Sequence, residues 1–231
     1  MKWKKDMIAG LGLLAVFAVW TILIRFVDVK AAGPVGTSVG FAYFNVWFHQ
    51  LTGVHMTLYT ITDWLGLVPV TVCVCFGVIG FIQLIKRRKL FRVDTDILLL
   101  GVYYVLVILG YLIFEMIPVN YRPVLIDGYL EASYPSSTTL LTLSVMPTFV
   151  FQISRRARYP LIRKALSAAA AAFSAFMVIG RLISGVHWVT DIIGSVILST
   201  GLFLLYRSAV SAADKKTNEE YTWNSVKNCR N

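Results

Sequence analysis

Charge is what this sequence has least of. Charged side chains make up 15% of its 231 residues, against about a quarter in soluble domains, too few to clothe a water-soluble fold. Cysteine is scarce as well. Cys73 and Cys75 lie inside an apolar run and Cys229 in a polar tail, which excludes a disulfide framework and zinc-ligand spacing and leaves three ordinary thiols. Acidic residues number 12 against 22 basic ones, for a net charge of +10. The basic residues sit between apolar runs instead of sharing one water-facing surface with stacking aromatics, so nucleic acid is not an expected partner. No small-residue cleavage site precedes Arg25, so the stretch from Met7 to Phe26 reads as a retained membrane helix and not as a secretory signal.

Hydrophobic residues, at 57%, fill what charge leaves. The apolar runs fall at about 7–27, 64–85, 97–117, 137–153, 165–182 and 188–206. Each is long enough, or nearly so, for a helix to cross about 30 Å of hydrocarbon. The expected fold is all-α: a six-transmembrane helix bundle over 1–231, a single domain with a polar tail at 207–231. Lys and Arg accumulate in cytoplasmic loops. Of the 22 basic residues, 18 lie before the first run, in 86–92, in 155–164 and from Arg207 onward, and only Arg25, Lys30, Arg122 and Arg181 lie at the other face. This bias predicts that both termini are cytoplasmic and that the first, third and fifth loops face outward. The runs Lys86–Lys89 and Arg155–Lys164 are read as topology determinants.

The first outer connection, Asp28 to Asp63, carries Gly33, Pro34 and Gly36 and then a crowd of aromatics including Phe41, Phe44, Trp47 and Phe48. A short interfacial helix fits it, and so does plain packing on the bundle.

Polar residues gather in three outward-facing clusters: Tyr121-Arg122-Pro123, Tyr134-Pro135-Ser136-Ser137-Thr138, and Arg181 through His187 to Asp191. Three hairpins that deliver polar groups to one face point to a site. His187 and Asp191 are four apart, so on a helix the carboxylate would hold the imidazole in one tautomer. Arg122 and Arg181 can grip one phosphoryl group. Ser136 and Ser137 stand where a helix N-terminus offers free N–H groups to an anion, and also where an ordinary N-cap would stand. Asp127 and Glu131 can bind a headgroup amine or repel a phosphate, with solvated loop charges as the default. His49 and His55 are read as structural.

The spacing Arg181, five residues, His187, three residues, Asp191 resembles the third signature of the type 2 phosphatidic acid phosphatases. Arg122-Pro123 resembles the end of their first signature and Pro135-Ser136 the start of their second, over a core of about 60–206. The resemblance implies a histidine nucleophile at His187 supported by Asp191. It also implies phosphate held by Arg122, Ser136, Ser137 and Arg181, a lipid phosphate or pyrophosphate substrate, and no cofactor or metal. Two family positions are altered. The lysine that opens the first signature is Glu115, and the histidine that serves as general acid in the second is Thr138. A general acid contributes about 10²–10⁴-fold and matters most for a poor leaving group. A site without one is less handicapped on a lipid pyrophosphate, such as a polyprenyl pyrophosphate, whose departing phosphate is a stable anion. Glu115 is an alternative proton donor. The expected activity is a lipid phosphatase on the outer face of a bacterial plasma membrane. A phosphotransferase or a lipid-phosphate-binding protein of the same fold are the alternatives.

Overall fold

The computed structural model describes residues 2–228, and among them it contains eight α-helices and one small hairpin. Helix α1 (Lys2–Phe26) leads into a two-stranded antiparallel hairpin, β1 (Lys30–Ala31) and β2 (Ser38–Val39), in which Lys30 pairs with Val39. Then follow α2 (Ala42–Thr52), α3 (Met56–Leu65), α4 (Leu67–Arg87), α5 (Thr95–Met116), α6 (Ser137–Arg156), α7 (Pro160–Ile183) and α8 (Val189–Asn228). The expected polar tail from 207 continues α8, and Cys229 lies outside the described residues.

Five helical stretches are long and apolar enough to cross a membrane: α1, α3 with α4, α5, α7, and α8 as far as Thr217. The chain is therefore a multi-pass membrane protein. The second stretch starts at Met56, eight residues before its expected position, because the end of the first connection is itself helical.

The fourth apolar run, 137–153, forms α6, which is too polar to qualify by composition. Its position explains why. Helix α6 packs against α4, α5, α7 and α8, so it faces protein and not lipid and has no need of an apolar exterior. Its buried Thr139, Thr148 and Gln152 find internal partners or fold back on the helix, while Thr142 Oγ1 is buried without one. Thr148 donates to the Val145 carbonyl at 2.7 Å, and Tyr104 hydrogen-bonds Thr148 at 3.0 Å.

The contacts fix helix directions. Tyr103 of α5 donates to the Ser144 carbonyl at 3.0 Å and Asp96 pairs with Arg156 at 2.8 Å, so α5 and α6 are antiparallel and α6 runs the length of the bundle. Helices α1 and α8 are antiparallel too. Arg207 pairs with Asp6 at 2.6 Å at one end, and Trp20 Nε1 donates to the Thr190 carbonyl at 3.2 Å at the other. Between these ties the helices meet through glycine: a Cβ on Gly201 would lie 3.2 Å from Leu13 Cβ and 3.3 Å from the Gly10 carbonyl oxygen.

Ion pairs gather at the end that holds Lys2 and Arg207, where Arg155 meets Asp214 at 2.7 Å and Arg87 meets Asp94 at 2.7 Å. At the opposite end the buried Tyr134 ties α1 to α5. It stacks on Phe17 at 6.0 Å, meets Phe114 edge-on at 5.5 Å and shares a 2.7 Å hydrogen bond with Thr21. Helix α2 lies at this end, held to the start of α8 by Asn45, whose Nδ2 donates to Thr190 Oγ1 at 3.0 Å. It leaves Tyr43, Trp47 and Leu51 exposed.

Gly201→Leu forces α1 away from α8, and overpacking of this kind costs about 1–3 kcal/mol. The variant should melt at a lower temperature than the parent in detergent; an unchanged melting temperature would show that the α1–α8 contact is dispensable.

Candidate functional site

The polar clusters meet at the end of the bundle marked by Tyr134. Helix α7 stops at Ile183 and α8 starts at Val189, so the connecting turn has to be tight. Gly185 makes it, at φ +72°, where a Cβ would lie 2.1 Å from the Gly53 carbonyl oxygen. The segment before α6 closes as a loop. Arg122 N donates to the Glu131 carbonyl at 3.0 Å and Ser133 N to the Asn120 carbonyl at 3.0 Å. This loop brings Arg122 and Ser133 to the turn that holds His187.

His187 is 4% exposed. Its Nδ1 lies 3.1 Å from the Ser133 carbonyl oxygen and 3.8 Å from Asp191 Oδ2. The hydrogen-bond partner is thus the carbonyl, and Asp191 stands one step further off. A carbonyl can only accept, so Nδ1 carries the proton and Nε2 the lone pair. Nε2 is buried with no hydrogen-bond partner.

The expected pairing of His187 with Asp191 along one helix face differs because His187 precedes the helix. Asp191 is the third residue of α8 and reaches back to the helix start: Oδ2 accepts from Trp188 N at 3.0 Å and Oδ1 from Asn120 Nδ2 at 3.1 Å. This is the return half of a capping box. Asp191 therefore fixes the start of α8 beside the imidazole.

Burial pushes the His187 imidazole down to about 4, the Arg122 and Arg181 charges push the same way, and Asp191 opposes them. The ring is neutral at pH 7, as a nucleophile has to be.

Arg181, 1% exposed, is held by its Nη atoms. Nη2 donates to Asp63 Oδ1 at 2.8 Å and to Thr138 Oγ1, and Nη1 lies 3.4 Å from the Tyr59 carbonyl oxygen. Its Nε has no partner. Arg122 Nε lies 3.0 Å from Glu131 Oε2 without hydrogen-bond alignment, and its Nη1 has no partner. Both guanidiniums sit against one ring, their Cζ atoms 4.8 Å (Arg181) and 5.7 Å (Arg122) from the Tyr59 centroid. Two buried guanidiniums with unpaired N–H groups at one end of a bundle mark a place for an anion, since such groups are costly to leave unpaired.

Ser136 is the N-cap residue of α6 and fully buried, and its hydroxyl bonds Thr139 Oγ1 at 3.1 Å instead of capping the helix N–H groups. Ser137 opens the helix and is half-buried. Thr138 is buried on Arg181. Glu115 lies on the exposed side of α5 and hydrogen-bonds Tyr111.

The sequence reading missed Tyr59, Asp63, Asn120 and the Ser133 carbonyl. An acid opening an apolar run was a visible signal at Asp63; a backbone carbonyl has none. Glu131, read as a solvated loop charge, pairs with Arg122. His49 lies closer to the site than expected, 5.6 Å from the Trp188 ring, and burial lowers its pKa. His55 turns away, bonding the Thr52 carbonyl at 2.8 Å. Among the described residues no three His, Cys, Asp or Glu side chains come together as metal ligands.

No protein-family model and no curated protein matches the sequence. Structure comparison finds a PAP2-type phosphatidylglycerolphosphate phosphatase from Bacillus subtilis, a transmembrane protein 17% identical, with a TM-score of 0.61 over 90% of this chain and 96% of the other. The two chains share a fold. The PAP2 fold thus accommodates this chain.

The low pKa makes His187 a measurable marker of the site. Its folded value, about 4, lies below the value of about 6.5 for a free imidazole. The unfolded state therefore takes the proton first: the neutral ring's contribution to stability is full above about pH 6.5 and is lost as pH falls toward 4. In histidine-labelled protein, the His187 ring should stay neutral at pH 5.5, where a free imidazole is about nine-tenths protonated. Titration near pH 6.5 would contradict this geometry.

Proposed function

We propose that this chain is an integral-membrane hydrolase that removes phosphate from a lipid phosphate or lipid pyrophosphate through a phosphohistidine at His187. One observation carries the reading: Nε2 of His187 is buried, unpartnered and unprotonated, beside two guanidiniums that still have free N–H groups. In the first step the Nε2 lone pair attacks phosphorus and the bond to the leaving oxygen breaks. Arg122 and Arg181 stabilise the equatorial oxygens, with the N-terminus of α6 as a further source of N–H donors. Nδ1 keeps its proton on the Ser133 carbonyl, and Asp191, 3.8 Å away, offsets the charge that the ring acquires. Water then attacks phosphorus, the P–N bond breaks and inorganic phosphate leaves.

A lipid substrate is supported by a cavity of about 280 Å³ lined by Leu67, Val70, Val107, Ile108, Leu140 and Leu141, with Asp63 and Thr138 at its polar end. It accepts an apolar chain beside the residues that hold Arg181. Six helices cross the membrane in this reading, α6 among them, and both ends of the bundle's chain share one face. The basic bias makes that face cytoplasmic and the site outward, at a bacterial plasma membrane. Thr138 binds Arg181 and supplies no general acid, so a pyrophosphate, whose leaving phosphate needs no proton, is the favoured substrate. The carboxylates on both guanidiniums favour a second reading, a lipid-phosphate-binding protein that does not turn over. A transferase on the same scaffold would release little phosphate without its acceptor.

Purified protein in detergent should release phosphate from a polyprenyl pyrophosphate faster than from the matched monophosphate, by about tenfold or more if the acid is missing. His187→Ala should abolish both. Faster monophosphate cleavage would remove the leaving-group argument. No release from folded protein would favour the binding reading.

A further inference from the structure

Each guanidinium of the proposed phosphate site already has a carboxylate on it, and in both pairs the carboxylate is the exposed partner. The Arg181 side chain is 1% exposed and that of Asp63 55%; the Arg122 side chain is 10% exposed and that of Glu131 40%. Asp63 comes from α3 and Glu131 from the loop before α6, so two separate segments place an acid over a buried cation. Asp191 adds a third carboxylate beside a neutral imidazole. Three carboxylates against two guanidiniums leave the site negative before any substrate arrives. That is a poor balance for a plain lipid phosphate, which has to pass two negative charges to reach the guanidiniums.

The unpartnered Arg122 Nη1 and Arg181 Nε still require an anion beneath those acids. An anion below and a cation above describe one kind of headgroup. Building on the hydrolase reading, we propose that Asp63 and Glu131 are specificity determinants that recognise a positive charge in the substrate, and that among lipids with the same leaving group at phosphorus the site favours one that bears an amine. The ammonium offers three N–H donors at the mouth, where the carboxylates accept them. As they turn to the ammonium they release the guanidiniums to the phosphate, so that binding of the two charges is cooperative. An N-acylated substrate keeps the phosphate and loses the cation, and so meets the acids uncompensated. The preference concerns the part of the headgroup that stays with the lipid and is independent of the leaving group at phosphorus.

A long-chain-base 1-phosphate and its N-acetyl derivative form the matched pair that tests this. With full-length protein in detergent, kcat/KM should favour the free amine by about tenfold or more, the lower range of a charge-assisted hydrogen bond. Asp63→Asn and Glu131→Gln, on different segments, should each collapse that ratio toward one. An acid that only positions its arginine would depress both lipids in parallel and leave the ratio intact, which would overturn the proposal, as would equal rates in the parent. Binding of both lipids to His187→Ala protein is measured alongside. If the parent releases no phosphate, the hydrolase reading falls, and the binding ratio alone then decides the headgroup: tighter binding of the amine supports the proposal, and equal binding overturns it.

Discussion

A guanidinium cannot be left alone in the interior of a membrane protein, because desolvating an unpaired charge costs far more than a fold can spare. Arg181 is 1% exposed, and the end of the bundle is arranged around that constraint. Asp63 and Tyr59 bring α3 to it, Thr138 brings the first turn of α6, and α7 supplies the arginine itself. The same ring that packs on Arg181 packs on Arg122, so one aromatic side chain gathers both cations without neutralising either. Remove the arginine and α3 and α6 lose their common partner on α7.

The interior of the bundle follows a related rule. A helix that faces lipid can be apolar throughout, but α6 packs on protein, and its Thr139, Thr148, Ser154 and Gln152 bond neighbouring hydroxyls, the backbone or the tyrosines of α5 and α8. Polar groups inside the membrane are therefore concentrated on one buried helix whose first turn lies at the site. Tyr134 completes the arrangement by fixing the chain that enters α6 against α1 and α5.

Much of this was legible in the sequence. Hydropathy marked the long helices, and the spacing of Arg181, His187 and Asp191 marked the turn between α7 and α8. The polar α6 emerged as an apolar run because its leucines and valines interleave with its threonines. The structure adds most where a short-range rule met a long-range contact. Four-residue spacing implied that Asp191 grips His187, whereas α8 begins after the histidine, so Asp191 caps the helix and the Ser133 carbonyl, 54 positions away along the chain, takes Nδ1. Tyr59 and Asp63 were assigned to a loop because helix propensity does not reveal where a span begins. Neither has a local signal for its partner, since Arg181 lies 118 residues beyond Asp63.

The pairing of α1 with α8 has a consequence for biosynthesis. The ribosome makes α1 first and its partner only after the six intervening helices, so Asp6 and Trp20 wait in the nascent chain without the groups that satisfy them. His187 and Asp191 arrive with α8 as well. Closure of the bundle and completion of the site are thus a single late event, and a chain arrested before α8 has neither.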